Sequence, residues 1–538
     1  MARSRLSVSL LMIIAGAGLL GAAASGDRSR PALRNGGTFR IALSSDYGPI
    51  DPALSGVFPL AVESATCALL MRPADKSGPA GLRLVPEVAT GFPKISRDGK
   101  TYMFTLRKSF RFNTGARLTA AGFAHAIDRI LDPKLQSEQA STFQDIVGAQ
   151  DVLDGHATHA SGVQPRGYKL VVHLTAPAPD FTSRLSGATC SVLPTLPVDP
   201  EGIGAPFPAA GPYYVAQYVP GLKMVLKRNR FYHGRRPHHV DQFVASFFSG
   251  FSADGLRMVE KGQADWAETL STAFFNVLSL NERKSKSQFF NVAGLTMRYV
   301  VMNTSRGIFK NNPRLRRAVN FAIDRPALVQ QRGGAVSGRP ADHYMPSSMP
   351  GFENVRIYPL THPNLRKARA LARGHLRSGK AVFYAPNGGP NVPVAQIVKQ
   401  DLSKIGIDVE IKLIPPSAFI DLLQRPGEPY DLTLLGWGPN FYDPGAFLNP
   451  QFEGSQIKAG SNFARFSSPK YNRLLAQAAR LSGQARYRAY GKLDVELARD
   501  AAPLAAFMNE NALTFVSKRT GCVVVNPFLD LAAVCLKR

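Results

Sequence analysis

Between residues 380 and 437 the spacing of apolar positions changes repeatedly. Ala381-Val382-Phe383-Tyr384 is a short unbroken apolar run. Val394, Ile397, Val398, Leu402 and Ile405 then recur at helical spacing, and Ile407, Val409, Ile411 and Leu413 alternate without a break. An apolar run predicts a buried strand, a three-to-four spacing an amphipathic helix, and strict alternation a strand with one buried face. Phe419–Leu423 predicts a second short helix and 431–436 a last apolar strand. The order β-α-β-α-β predicts parallel strands joined by right-handed crossovers. Ligands of such sheets sit beyond the carboxyl ends of the strands. The loop leaving the last strand is Gly436-Trp437-Gly438-Pro439-Asn440-Phe441-Tyr442-Asp443-Pro444. It offers aromatic faces, short polar groups and glycines that let a backbone approach a guest, which suits a solute pocket. The plainer alternative is a loop whose Trp fills a core.

Elsewhere the pattern is sparser. Residues 36–43 predict a first strand, ended by the loop Ser44-Ser45-Asp46-Tyr47-Gly48-Pro49. Lys100–Leu106 alternates around Tyr102, Phe104 and Leu106, another strand. Thr119 is placed to cap a helix with Phe123, Ile127, Ile130 and Leu131 on one face, ended by Asp132-Pro133. Leu170–Leu174 predicts a further strand. Asn312-Pro313 opens another helix, with proline at the tolerated first turn. Its apolar face is Ala318, Phe321 and Ala322, so Arg316 and Arg317 are expected to point elsewhere.

The first residues read as an address. Arg3 and Arg5 precede an apolar run at Leu10–Leu20 and a small-residue stretch, 21–26. That pattern predicts a secretory signal peptide over 1–25, cut after Ala24 or Ser25. The run is short for a spanning helix. With no cysteine near the cut, lipid attachment is not expected, and the exported chain is expected to be soluble. Export in turn favours disulfides among the four cysteines. Cys522 and Cys535 flank an apolar stretch whose Asn526-Pro527 suggests a turn between two strands. A hairpin there would pair Cys522 with Cys535 and leave Cys67 for Cys190. Four buried thiols are the alternative; no Cys-x-x-Cys spacing favours zinc.

Composition is that of a globular protein: of 538 residues, 45% are hydrophobic and 19% charged. The net charge of +27 points to anionic partners, or to a solvated basic surface. It is spread along the chain without a nucleic-acid module, so no nucleic acid is expected as partner. Catalytic motifs fail one by one. Gly374–Ala381 approaches a phosphate loop but ends in Ala381, without the hydroxyl that Mg²⁺ needs, and it precedes a strand where it should open a helix. Gly250-Phe251-Ser252-Ala253-Asp254 lacks the last glycine of a nucleophile elbow. His233, His238 and His239 lie among arginines that would repel a metal ion. Neither an enzymatic activity nor a cofactor is expected.

Several stretches together resemble the extracytoplasmic solute-binding proteins of family 5, the peptide and nickel group that serves ABC importers. They are Gly36-Gly37-Thr38-Phe39 leading to Ile50-Asp51-Pro52; Leu84–Ala89 followed by Asp98–Arg107; Phe112-Asn113-Thr114-Gly115 before Leu118-Thr119-Ala120; Lys227–Tyr232; Met302-Asn303-Thr304; Arg317–Arg325; and the Gly436-Trp437 loop. They run in family order over nearly the whole exported chain.

The resemblance implies an α/β, two-lobed fold of the periplasmic-binding-protein type II kind, with three domains and a hinged ligand cleft. Domain I would be discontinuous, 26–65 with 190–290 and 508–538; domain II, 66–189, would be inserted; domain III would be 291–507. Cys67 and Cys190 would stand at the two crossings into the insertion. The implied role is capture of a peptide or peptide-like solute and its delivery to a membrane permease with a separate ATPase. Such a receptor is expected to be a periplasmic monomer. An extended peptide would bond to strand ends, with its side chains in wet, permissive pockets. Oligosaccharides, opine-like compounds and metal chelates are the rival solutes; a secreted hydrolase and a basic adhesion protein are the rival roles. Implied ligand contacts are Trp437, Asn440 and Tyr442 in one loop and Asp46 and Tyr47 in another. Asn440 stands where peptide-binding members carry an Asp that pairs with the peptide amino group. An amide supplies no charge, so that contact is weaker here. Asp443 either caps its turn or touches the ligand.

Overall fold

The computed structural model describes residues 33–538 apart from 44–45, 47, 55–59, 249–251, 269–284, 440 and 527. The expected signal peptide, 1–25, lies outside the described residues.

Three larger sheets organise the chain. The first has five strands in the order Trp266–Ala267, Thr38–Leu43, Gln242–Phe247, Lys223–Arg228 and Tyr213–Val219. Thr38–Leu43 lies parallel to both its neighbours, with Ile41 opposite Ala245 and Trp266. Segments more than 200 residues apart thus share a sheet. Nearby, Leu33–Arg34 pairs antiparallel with Cys535–Lys537, which also pairs with Thr520–Gly521. Phe39, Phe243 and Tyr213 pack edge to face in the core beneath.

The second sheet is antiparallel, in the order Lys94–Ile95, Thr101–Thr105, Lys169–His173, Val163–Arg166. Tyr102 and Phe104 face inward on alternate positions, as the period of two requires. The helix Ala120–Leu131 lays Phe123, Ile127, Ile130 and Leu131 on the same core. Thr119 stands at its N-cap but makes no side-chain cap bond; Asp132 ends it.

The third sheet has six strands in the order Gly338–Pro340, Leu504–Phe515, Phe289–Met302, Leu432–Trp437, Lys380–Pro386, Asp408–Ile414. Lys380–Pro386 is parallel to both of its neighbours, so the β-α-β-α-β unit forms as its periodicity predicts. Its helices are Asn391–Ser403 and Pro416–Gln424. The sheet is covered on both faces: Val300 and Met302 enter one core with Phe383 and Val394, while Tyr299 and Val301 enter another with Phe447.

Three expectations need correction. Asp408–Ile414 is an edge strand and its burial fades along its length: Val409 is buried, whereas Leu413 is 44% exposed. In the helix Pro313–Ala322, Arg316 does not point away. It is buried and donates to the carbonyls of Ala501 and Phe309, satisfying backbone acceptors that packing removes from water. The apolar run after Cys522 is no long hairpin either. Among the described residues of this stretch, Thr520–Gly521 pairs with Cys535–Lys537, and what lies between them is a packed loop with a bridge between Val525 and Leu529. Pro527 lies outside the described residues.

Candidate functional site

Where the cores meet, the packing leaves a cavity of about 220 Å³. One wall follows the helix Leu60–Thr66 through Glu63 and Ser64 to Cys67, and continues along the paired strands Met71–Pro73 and Leu84–Pro86. The opposite wall is Leu295 with Pro439, Phe441 and Tyr442. The floor is the C-terminal loop, with Val524, Asn526, Phe528 and Asp530.

Leu295 reaches the cavity because its strand bulges. Phe289–Met302 and Leu504–Phe515 run side by side, but the register breaks between Ala293 and Met297. Bulges re-aim side chains next to sites. Asn509 donates its amide to the carbonyls of Gly294 and Thr296 and so satisfies the acceptors the break leaves unpaired. Gly294 is required here: a Cβ would stand 2.5 Å from the Glu510 carbonyl oxygen.

Two disulfides hold the other walls. Cys67 bonds Cys190, with S–S 2.08 Å, and Cys522 bonds Cys535, with S–S 2.12 Å. Cys67 lines the cavity itself; Cys522 and Cys535 close the base of the floor loop.

The charges on the walls are matched. Arg72 makes a two-pronged pair with Asp75, both contacts 2.5 Å. Arg236 donates to the Ser64 carbonyl at 2.5 Å, stands 3.5 Å from Asp530 and lies 3.8 Å from Glu87. Glu87 is buried behind the wall and accepts from the Leu69 N–H at 2.8 Å. Burial raises its pKa, against the pull of Arg236 and Arg72.

Residues 83–459 match the model of the bacterial extracellular solute-binding proteins, family 5, middle region. The chain belongs to this family. Among curated relatives, this family 5 protein is 23% identical to the probable di/tripeptide-binding protein 5 of Pseudomonas aeruginosa (strain UCBPP-PA14), over 85% of the chain and 88% of that protein. It is 24% identical to the probable D,D-dipeptide-binding periplasmic protein DdpA of Escherichia coli (strain K12), over 81% of each. Its fold is that of the clavulanic acid biosynthesis oligopeptide binding protein 2, with a TM-score of 0.83 at 23% identity, covering 94% of this chain and 97% of that one.

In the family 5 protein the residues expected at the ligand are divided. Tyr442 lines the cavity; its hydroxyl donates to the Ser348 carbonyl at 2.5 Å, and burial lifts its pKa to about 12. Trp437 does not line it. Its ring packs into the core beside Tyr299 and Val301, and its Nε1–H donates to the Ala446 carbonyl at 2.8 Å, anchoring the loop that carries Pro439 and Phe441. Asp46 stands elsewhere, accepting from the Tyr218 hydroxyl and from the Gly221 N–H at a hairpin turn. Tyr47 and Asn440 lie outside the described residues. Asp443 caps its turn through the Gly445 N–H at 2.7 Å and binds Arg486 at 2.7 and 3.0 Å. Burial alone would lower the Arg486 pKa; the bond and charge of Asp443 raise it. Arg486 also stands 3.5 Å from Asp180.

Sequence reasoning missed Leu295, Arg72, Arg236 and Phe528. For Leu295 a signal existed, a glycine inside an apolar strand, which marks a bulge or a close approach.

Proposed function

We propose that this protein is the receptor of an ABC importer, capturing a peptide between two lobes outside the cytoplasm and passing it intact to a membrane permease driven by a separate ATPase. The observation that carries the proposal is the cavity, walled on one side by Leu295, Phe441 and Tyr442 and on the other by segments from the first half and the C-terminus of the chain. Family membership and the peptide-binding names of several relatives favour a peptide over an oligosaccharide or opine. The role is non-enzymatic: the solute leaves as it arrived.

The lobes follow the domain division 26–65, 190–290 and 508–538 with the insertion 66–189, against 291–507. The sheet shared by Thr38–Leu43 and Gln242–Phe247 supports the discontinuous domain. On this division the two long strands Phe289–Met302 and Leu504–Phe515 carry the chain between lobes, and Asp180 with Arg486 bridges them. Only a solute that touches both lobes favours the closed form. Residues 1–25 serve as the export signal.

Two measurements test this. Mass spectrometry of the native protein purified from its own envelope should find a bound peptide released on unfolding. Incubation with a peptide mixture should give stoichiometric retention without cleavage; turnover would reject the proposal. Trp266 and Trp437 are the two tryptophans. In a Trp266→Phe protein, therefore, emission from the Trp437 loop should change as peptide binds. An unchanged spectrum with confirmed binding would take that loop out of the site.

A further inference from the structure

We propose that this cavity selects peptides by one bulky apolar side chain and rejects charged side chains there, an inference that rests on the peptide-receptor function above. A family 5 site with wet, permissive pockets would present polar groups free to serve any side chain. Here the charged groups of the wall are already engaged. Arg72 is held by Asp75, Arg236 by Asp530 and two backbone carbonyls, and Glu63 is partnered too. Apart from the Asn526 amide on the floor, what faces the space is mainly apolar. Leu69, Leu84, Leu295, Phe441, Val524 and Phe528 all line the cavity, and all remain only half-buried. Well-packed cores do not leave six such side chains around one opening unless something else covers them.

The occupant follows from the energetics. A charged side chain placed here would lose its water and find no free counter-charge, which is strongly unfavourable. An aromatic or branched aliphatic side chain would complete the burial of all six. The volume of about 220 Å³ is smaller than the ~300–1,000 Å³ of pockets that enclose whole small molecules. That is room for one large side chain.

The test uses three tripeptide series, each with Phe, Leu, Ser, Lys or Asp at one position and Ala at the other two, measured by calorimetry on the full protein. In one series Phe and Leu should bind at least about tenfold tighter than Ser, Lys or Asp, the scale on which apolar pockets discriminate. Leu295→Asp should reverse the order in that series, so that Lys overtakes Phe. A merely damaged site would weaken all peptides alike. Phe528→Ser, a milder change on the floor, should reduce the Phe preference several-fold, and it decides the matter if Leu295→Asp does not fold. Equal binding across every series, or a Lys or Asp preference in the unmodified protein, overturns this inference and leaves the receptor function standing. Binding of no peptide at all overturns both.

Discussion

Arg486 shows how much one side chain carries in this molecule. It is buried, doubly bonded to Asp443 and also bonded to the carbonyls of Ala478 and Ala479. Removing one partner of a buried pair leaves the other charge uncompensated, so Arg486→Met should cost about 3–5 kcal/mol. Asp180 meets the same arginine at only 3.5 Å and is partly open to solvent. Asp180→Asn, which also loosens the 3.5 Å pair with Arg184, should cost less than Arg486→Met; thermal midpoints of the two variants check the contrast. His343 makes a pH prediction. Burial alone would lower its pKa, but the 2.7 Å bond to Asp494, that carboxylate's charge and the Val355 carbonyl hold it at about 9. Its folded pKa thus lies above the ordinary 6.5. The stabilisation is full below 6.5 and is lost as pH rises through about 9. His343→Gln should flatten the stability profile between those values, and an unchanged slope in thermal melts would show that His343 does not titrate this way. None of these roles was legible in the sequence. Arg486 and His343 carry no local signal, and Arg316 was expected to point away, because key partners arrive from distant segments.

At the scale of elements the sequence was far more informative. The β-α-β-α-β unit was legible because its helices and strands each carry their own period, and parallel pairing follows from the order. The loop after Leu432–Trp437 was legible as a composition. Of its two readings the plainer one holds for Trp437, which fills a core; it was not legible that Pro439, Phe441 and Tyr442 would face the cavity. The bulge at Leu295 was hidden for a different reason: it needs Asn509, 215 residues from Gly294, to satisfy its carbonyls. Gly294→Val should push the Glu510 carbonyl away and disturb both the strand pair and the wall. Peptide affinity should fall by more than tenfold with the far sheets intact, as hydrogen exchange would show. The C-terminal loop marks the opposite error. Its apolar residues suggested strands, yet they fill a packed loop, since an apolar run alone does not say what it packs against.

For the whole molecule, the two covalent ties rank differently. Cys522 and Cys535 are 13 residues apart, Cys67 and Cys190 are 123 apart. In the chain-entropy account a 15-residue loop is worth ~3 kcal/mol and a 100-residue loop ~4.7. Cys67→Ser with Cys190→Ser should lower the thermal midpoint more than the Cys522→Ser, Cys535→Ser pair. The smaller loop matters more for the cavity, since it carries the floor. The net charge of +27, legible from composition alone, finds no place on the cavity walls, where arginines and carboxylates match.

One sulfur link lines the cavity and the other closes the loop that floors it, which makes the history of a sample part of its behaviour. Protein made in a reducing cytosol would assemble the same three large sheets yet leave the floor segment 523–534 untethered. Titrations on such material would understate how tightly the receptor holds its cargo. Replacing Cys522 and Cys535 by serine should reproduce that loss with the three large sheets intact.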